Sequence, residues 1–258
     1  VSPAPPDPAW LAALAANLAC RGRLGFSLVS GGLGELQRLS AGVSPPSTTS
    51  ASSPGPGASL PEGAMRQSAG SGGGLAQVRA TMGECTRCPL HQGRQHIVFG
   101  KGSENAEIMF IGEGPGAEED RQGVPFVGPA GKLLDRMLAA IGLKGSQVYI
   151  SNIVKCRPPG NRDPQAGEVA ACRPFLEEQI RAVGPKLICT LGKPAANALL
   201  GNQAPISALR GNWHRVSGVP LLPTFHPAYL LRSPERKGQA YQDLKALVKA
   251  LQQGPPEA

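Results

Sequence analysis

At 258 residues, with a formal charge of +8 and a pI near 9.4, the chain has room for one large domain or two small ones, and its basic balance favours a polyanionic partner. No apolar run reaches the roughly 18 residues of a membrane-spanning helix, which excludes an integral helical membrane protein. The charge is unevenly placed: residues 1–75 hold four Arg and no Lys against three acids, while residues 76–258 hold 22 basic against 15 acidic side chains, so any nucleic-acid footprint belongs to the second part.

The chain opens on a short helical pattern, with Asp7-Pro8 as its cap and Trp10, Leu11, Leu14 and Leu18 on one side. The run to Cys20 has the length of a signal-peptide core, but it follows an acid and lacks a basic n-region. The chain therefore reads as intracellular and cytoplasmic. Residues 42–75 are mostly Ser, Pro, Gly and Ala and bury too little apolar surface to offset chain entropy. The expected organisation is a low-complexity, mostly disordered leader over 1–75, one compact domain over 76–252 and a disordered tail over 253–258.

Within the domain, short apolar runs bounded by Gly or Pro predict buried strands at Glu107–Gly112, Val148–Val154, Lys186–Leu191 and Pro220–Thr224. Helical patterns separate them at 129–141, 164–183 and 193–200, and a last one covers 234–252. Asp163-Pro164 and Ser233-Pro234 read as helix caps followed by proline. Alternating strands and helices imply an α/β fold, a three-layer sandwich around a mostly parallel four-stranded sheet.

The first strand delivers a glycine-rich loop, Gly112-Glu113-Gly114-Pro115-Gly116, which continues through Glu118-Glu119-Asp120 to Pro125-Phe126-Val127-Gly128 and Gly131. Strand, loop and helix in that order place the loop at the carboxyl end of the sheet, where open α/β folds bind ligands. Glycines there let backbone amides approach a ligand.

Cys85-Thr86-Arg87-Cys88 lets two sulfurs reach one metal centre from a single turn, and Cys156 and Cys172 form a second pair beside the same sheet. Four thiolates so placed suggest an iron–sulfur cluster or zinc, and an intracellular setting argues against disulfides. Cys189, inside an apolar strand, reads as an inert buried thiol.

Two further stretches carry polar groups to the same sheet edge. Asn152 closes the second strand, where its amide can donate and accept in a bidentate way, a pattern that suits uracil and opposes cytosine. His226-Pro227-Ala228-Tyr229-Leu230-Leu231-Arg232 follows the last strand, with a histidine fixed by the next proline.

Together, the Gly112–Gly116 loop, Pro125-Phe126-Val127-Gly128, Ser151-Asn152-Ile153-Val154-Lys155-Cys156 and His226–Leu231 resemble the family 4 uracil-DNA glycosylases, iron–sulfur enzymes of bacteria and archaea. The match runs over about residues 76–252, with the four motifs in the family's order. The resemblance implies a DNA-repair enzyme that flips uracil from single- or double-stranded DNA and hydrolyses its N-glycosidic bond, acting as a monomer. On this chain it implies that Cys85, Cys88, Cys156 and Cys172 ligate a structural [4Fe–4S] cluster, with zinc as the alternative. Phe126 stacks on the base, Asn152 reads its Watson–Crick edge, and His226 donates to uracil O2. Glu113 positions water, Gly114 and Gly116 leave space for substrate, and Leu230 enters the DNA where the base has left. Lys101, Lys155, Arg157 and Arg232 are the candidates for phosphate contacts. The stretch after Cys156 holds no histidine, which implies ordinary turnover rather than covalent capture of the abasic sugar.

Two other readings compete. One is a non-catalytic iron–sulfur DNA-binding module of replication or repair machinery. The other is a nucleotide-binding enzyme, although the loop lacks both the P-loop ending and the dinucleotide spacing.

Overall fold

The computed structural model describes residues 74–255, so the expectations for the leader and for the last three residues lie outside the described residues. In chain order these form α1 (Leu75–Met82), a 3-10 turn (Pro89–Gln92), β1 (Lys101–Gly102), β2 (Ile108–Gly112), α2 (Ala117–Gln122), α3 (Pro129–Ala140) and β3 (Val148–Asn152). Then follow α4 (Ala166–Val183), β4 (Leu187–Leu191), α5 (Lys193–Leu200), α6 (Ile206–Leu209), β5 (His214–Val216), β6 (Val219–Thr224), α7 (Pro227–Arg232) and α8 (Lys237–Gln253). No described helix is long and apolar enough to cross a membrane.

The sheet runs β1-β3-β2-β4-β6-β5. Its four inner strands, the ones read from the sequence, are parallel, whereas β1 and β5 pair antiparallel at the edges and enlarge the sheet to six. Strands of two and three residues carry no periodicity to read, which is why the sequence shows only the inner four.

Every residue of β2, β3 and β4 is buried, as a parallel sheet covered on both faces requires. The two-residue strand period divides the core. Met109, Ile111, Tyr149 and Ile188 face α4 and α5 through Leu176, Ile180 and Leu199, while Ile108, Phe110, Ile150 and Cys189 face α3 and α8 through Leu134, Leu138, Leu244 and Leu247.

Two caps differ from expectation. Helix α4 starts at Ala166 rather than at Pro164, because Glu168 reaches back to the amide of Gln165 at 2.7 Å and grips Arg162 at 2.6 and 2.9 Å. Asp163 is thereby left in the preceding loop. Pro234 begins a single 3-10 turn, and α8 starts only at Lys237.

The loops beyond β2 are tied by one carboxylate. Glu119, on α2, accepts from the amides of Gly116 (3.1 Å), Val127 (2.9 Å) and Gly128 (2.8 Å), the last at the amino end of α3, where negative charge is favoured. Between these anchors Phe126 takes a left-handed backbone, φ 52°, and its carbonyl accepts from Lys101 Nζ at 3.0 Å. That carbonyl presses on α3: a Cβ on Gly131 would lie 2.0 Å from it. Backbone cannot give way as a flexible side chain can, so Gly131→Ala should destabilise the fold by about 1–3 kcal/mol and displace Phe126. Thermal unfolding of the variant measures the first effect. Glu119→Ala, which strands three amides, should cost at least as much.

Candidate active site

The carboxyl ends of β2, β3 and β6 meet above the sheet. There Glu113, Phe126, Asn152 and His226, from four separate stretches, line one cleft of about 410 Å³ together with Gly114, Gly116 and Arg232. That size is ordinary for a small-molecule site.

Asn152 ends β3 directly opposite Gly112 in register. The glycine is a steric requirement, since a Cβ there would lie 2.5 Å from Asn152 Oδ1 and 2.7 Å from the Phe126 ring. Asn152 is 2% exposed and its Oδ1 has no hydrogen-bond partner. A buried acceptor left unsatisfied is costly; the atom packs against Gly112, and the residue it belongs to lines the cleft. Phe126 forms an apolar wall, its ring centroid 5.7 Å from that of His226.

His226 is the N-cap of α7, and its Nδ1 accepts from the Ala228 amide at 3.1 Å. An acceptor Nδ1 puts the single proton of neutral imidazole on Nε2. Burial, and then the Arg232 charge, lower its pKa to about 4, so the ring is a neutral donor near neutral pH. Gly192, at φ 90°, allows this placement, because a Cβ there would lie 2.9 Å from His226 Cβ.

Glu113 shows the complementary shift. Burial first, and then the charge and hydrogen bond of Asp163, raise its carboxyl to about 7. An aromatic wall, an unmet amide acceptor, a neutral imidazole donor and a poised carboxyl form a set that can bind a planar heterocycle, stabilise negative charge on it and handle a water proton.

Other expected residues have different places. Leu230 is fully buried against Leu133, Phe225 and Ala240, because it faces inward on α7, a helix absent from the sequence reading; Leu231 is the exposed neighbour, at 41%. Lys155 is buried as well, donating to Ser151 Oγ (2.6 Å) and the Asn152 carbonyl (2.7 Å), and cannot meet a phosphate. Lys101 holds the Phe126 carbonyl instead. Arg232 is exposed at the cleft, and Arg157 binds Asn161 at 2.8 Å. Gly114 and Gly116 line the cleft, but each also answers to packing, since a Cβ would lie 2.9 Å from Val154 or 2.7 Å from Glu119. Sequence reasoning gave no role to Glu119 and read Asp163 as a cap. For Glu119 the signal was its spacing of three from Gly116; for Asp163 there was none, since its partner lies 50 positions away.

Cys85, Cys88, Cys156 and Cys172 line a single apolar cavity. Arg94 Nη1 donates to Cys156 Sγ at 3.3 Å and Arg87 Nη1 to Cys85 Sγ at 3.4 Å, contacts that suit thiolates. Among the described residues no three His, Cys, Asp or Glu groups close on one ion. Four thiol donors around one cavity are the donor set of an iron–sulfur cluster and equally of zinc. Cys189 is fully buried in β4 and burial drives its thiol pKa upward, in keeping with an inert role.

Residues 99–249 match the model of the uracil DNA glycosylase superfamily. The chain is 47% identical over 154 residues to a type-4 uracil-DNA glycosylase of Thermotoga maritima, covering 58% of this chain and 79% of that protein. It is 41% identical over 182 residues to the type-4 enzyme of Sulfurisphaera tokodaii (67% and 83% covered) and 42% identical over 178 residues to that of Archaeoglobus fulgidus (66% and 89% covered). With the cleft residues, from Glu113 to Arg232, inside the matched range and relatives 41–47% identical covered over 79–89% of their length, the chain belongs to the type-4 uracil-DNA glycosylases.

Proposed function

We propose that the chain excises uracil from DNA by hydrolysing its N-glycosidic bond, with Phe126 and Asn152 holding the extruded base, His226 stabilising its developing charge and Glu113 ordering the water. The observation that carries this reading is the convergence of Glu113, Phe126, Asn152 and His226 on one cleft, an amide beside an aromatic wall and a neutral histidine. Uracil N3–H donates to the Asn152 amide and its O4 accepts from the same amide. Cytosine, unprotonated at N3 and bearing an amine at C4, offers the reverse order to that amide.

Hydrolysis breaks the C1′–N1 bond, and its electron pair leaves with N1 and spreads to O2. A neutral Nε2–H donor stabilises that oxygen more in the transition state than in the ground state. An imidazole with a pKa near 4 gives this help without transferring a proton. Water adds to C1′ and its proton passes to the Glu113 carboxylate. Uracil within a duplex is out of reach until it is flipped, and exposed Leu231 and Arg232, adjoining the cleft on α7, take the wedge and phosphate roles. The domain expected over 76–252 houses the whole site.

Cys85, Cys88, Cys156 and Cys172 hold a [4Fe–4S] cluster in this reading. Cys85 and Cys88 before β1, Cys156 after β3 and Cys172 on α4 would thereby be tied together, so a bound cluster would supply a cross-link between these segments.

Duplexes carrying a single U, T, C or hypoxanthine, incubated with the protein and then with alkali, should break only at U. Binding without breakage would instead support a non-catalytic module. His226→Ala should slow excision by about 10²–10³ while leaving DNA affinity nearly intact; parental turnover would remove His226 from the mechanism. Iron and sulfide analysis should show both elements lost in Cys172→Ala, with a lower melting temperature, and retained in Cys189→Ala.

A further inference from the structure

We propose that Asp163 is a positioning residue for Glu113: the two carboxyl groups form a hydrogen-bonded pair holding one proton, and the carboxylate that activates water arises only when that proton leaves for solvent. The inference rests on the glycosylase reading above and assigns a role to a residue that it does not use.

The geometry is built rather than incidental. Glu113 and Asp163 both line the main cleft and the adjoining lobe that opens toward Lys193 and Arg236. Asp163 is not consumed as a helix cap, since α4 starts three residues later. Its loop is held from both sides: Arg162 bridges to Glu168 at 2.6 and 2.9 Å and donates to the Asp163 carbonyl at 3.0 Å, while Arg157 grips Asn161, whose φ of 56° is left-handed. Two carboxylates can share a hydrogen bond only if one is protonated.

The other charged groups around the cleft do not displace Asp163. Glu119 is engaged by three amides, Arg162 by Glu168 and Arg210 by Asp243. His226 is uncharged above about pH 4. Lys193, Arg232 and Arg236 line the cleft or its lobe, but the charge that acts on the Glu113 carboxyl is that of Asp163, which raises its pKa after burial has done so first. Asp163 is exposed, so its share is screened by water and is the smaller one.

The sign is fixed. Glu113 is raised to about 7 from an ordinary 4.5, so its stabilising protonation is complete below the ordinary value and lost as pH rises through 7. Activity moves the opposite way, rising with pH over that range.

Single-turnover release of uracil from single-stranded DNA, measured with the full chain from about pH 5 to 9, tests the pair. The parent should lose roughly tenfold per pH unit below the Glu113 limb, and Glu113→Gln should be slow and without that limb. Asp163→Asn should move the limb to lower pH, so that near pH 5.5 the rate, as a fraction of its own high-pH value, exceeds the parent's by about three- to tenfold. Asp163→Ser, which removes the charge without adding an amide donor, should shift the limb in the same direction. Both Asp163 variants should also raise the melting temperature more at about pH 8 than at about pH 5. An unmoved limb in either Asp163 variant, or a limb that survives Glu113→Gln, overturns the pair. Absence of uracil release by the parent at every pH overturns the glycosylase reading instead.

Discussion

The Glu119 carboxylate is the contact on which the site depends. It joins the glycine loop after β2 to the loop that carries Phe126, through three charge-assisted bonds to backbone amides. Bonds of this kind are about twice as strong as neutral ones, and these three hold a segment whose backbone would otherwise relax, because a left-handed Phe is disfavoured. The aromatic wall of the cleft is therefore fixed by an acid that need not touch the base. Gly112 and Gly131 complete the constraint from below and behind, each with no room for a methyl group.

Burial tunes the two ionisable groups in opposite directions and for one reason. Removing a group from water disfavours its charged form, so the histidine is held neutral and the carboxyl is held protonated to a higher pH. One preorganised donor and one poised acid result from a single low-dielectric cleft, with the Ala228 amide selecting the imidazole tautomer.

The cysteine cavity and the cleft are joined by the segment that leaves β3. Beyond Asn152 the chain runs directly through Lys155 to Cys156, and Lys155 turns its ammonium back onto Ser151 and the Asn152 carbonyl. A buried lysine is costly unless its donors are met. Here they brace the end of β3, so the segment that presents the amide edge of the site is held by the same residues that surround the four cysteines.

Local chemistry in the sequence determined much of this. Short apolar runs, the glycine loop and the order of the motifs establish the parallel α/β core, the sheet edge that carries the site, and the cleft membership of Glu113, Phe126, Asn152 and His226, because strand period and backbone permissiveness are properties of neighbouring residues. Packing between distant segments decided the rest. Leu230 points inward and Leu231 outward only because α7 forms against α3 and α8; Lys155 is buried only because α4 covers the end of β3; β1 and β5 exist only as partners for longer strands. Glu113 meets Asp163 across 50 positions of chain, where no spacing rule reaches, since such a contact is set by how the folded layers bring their loops together.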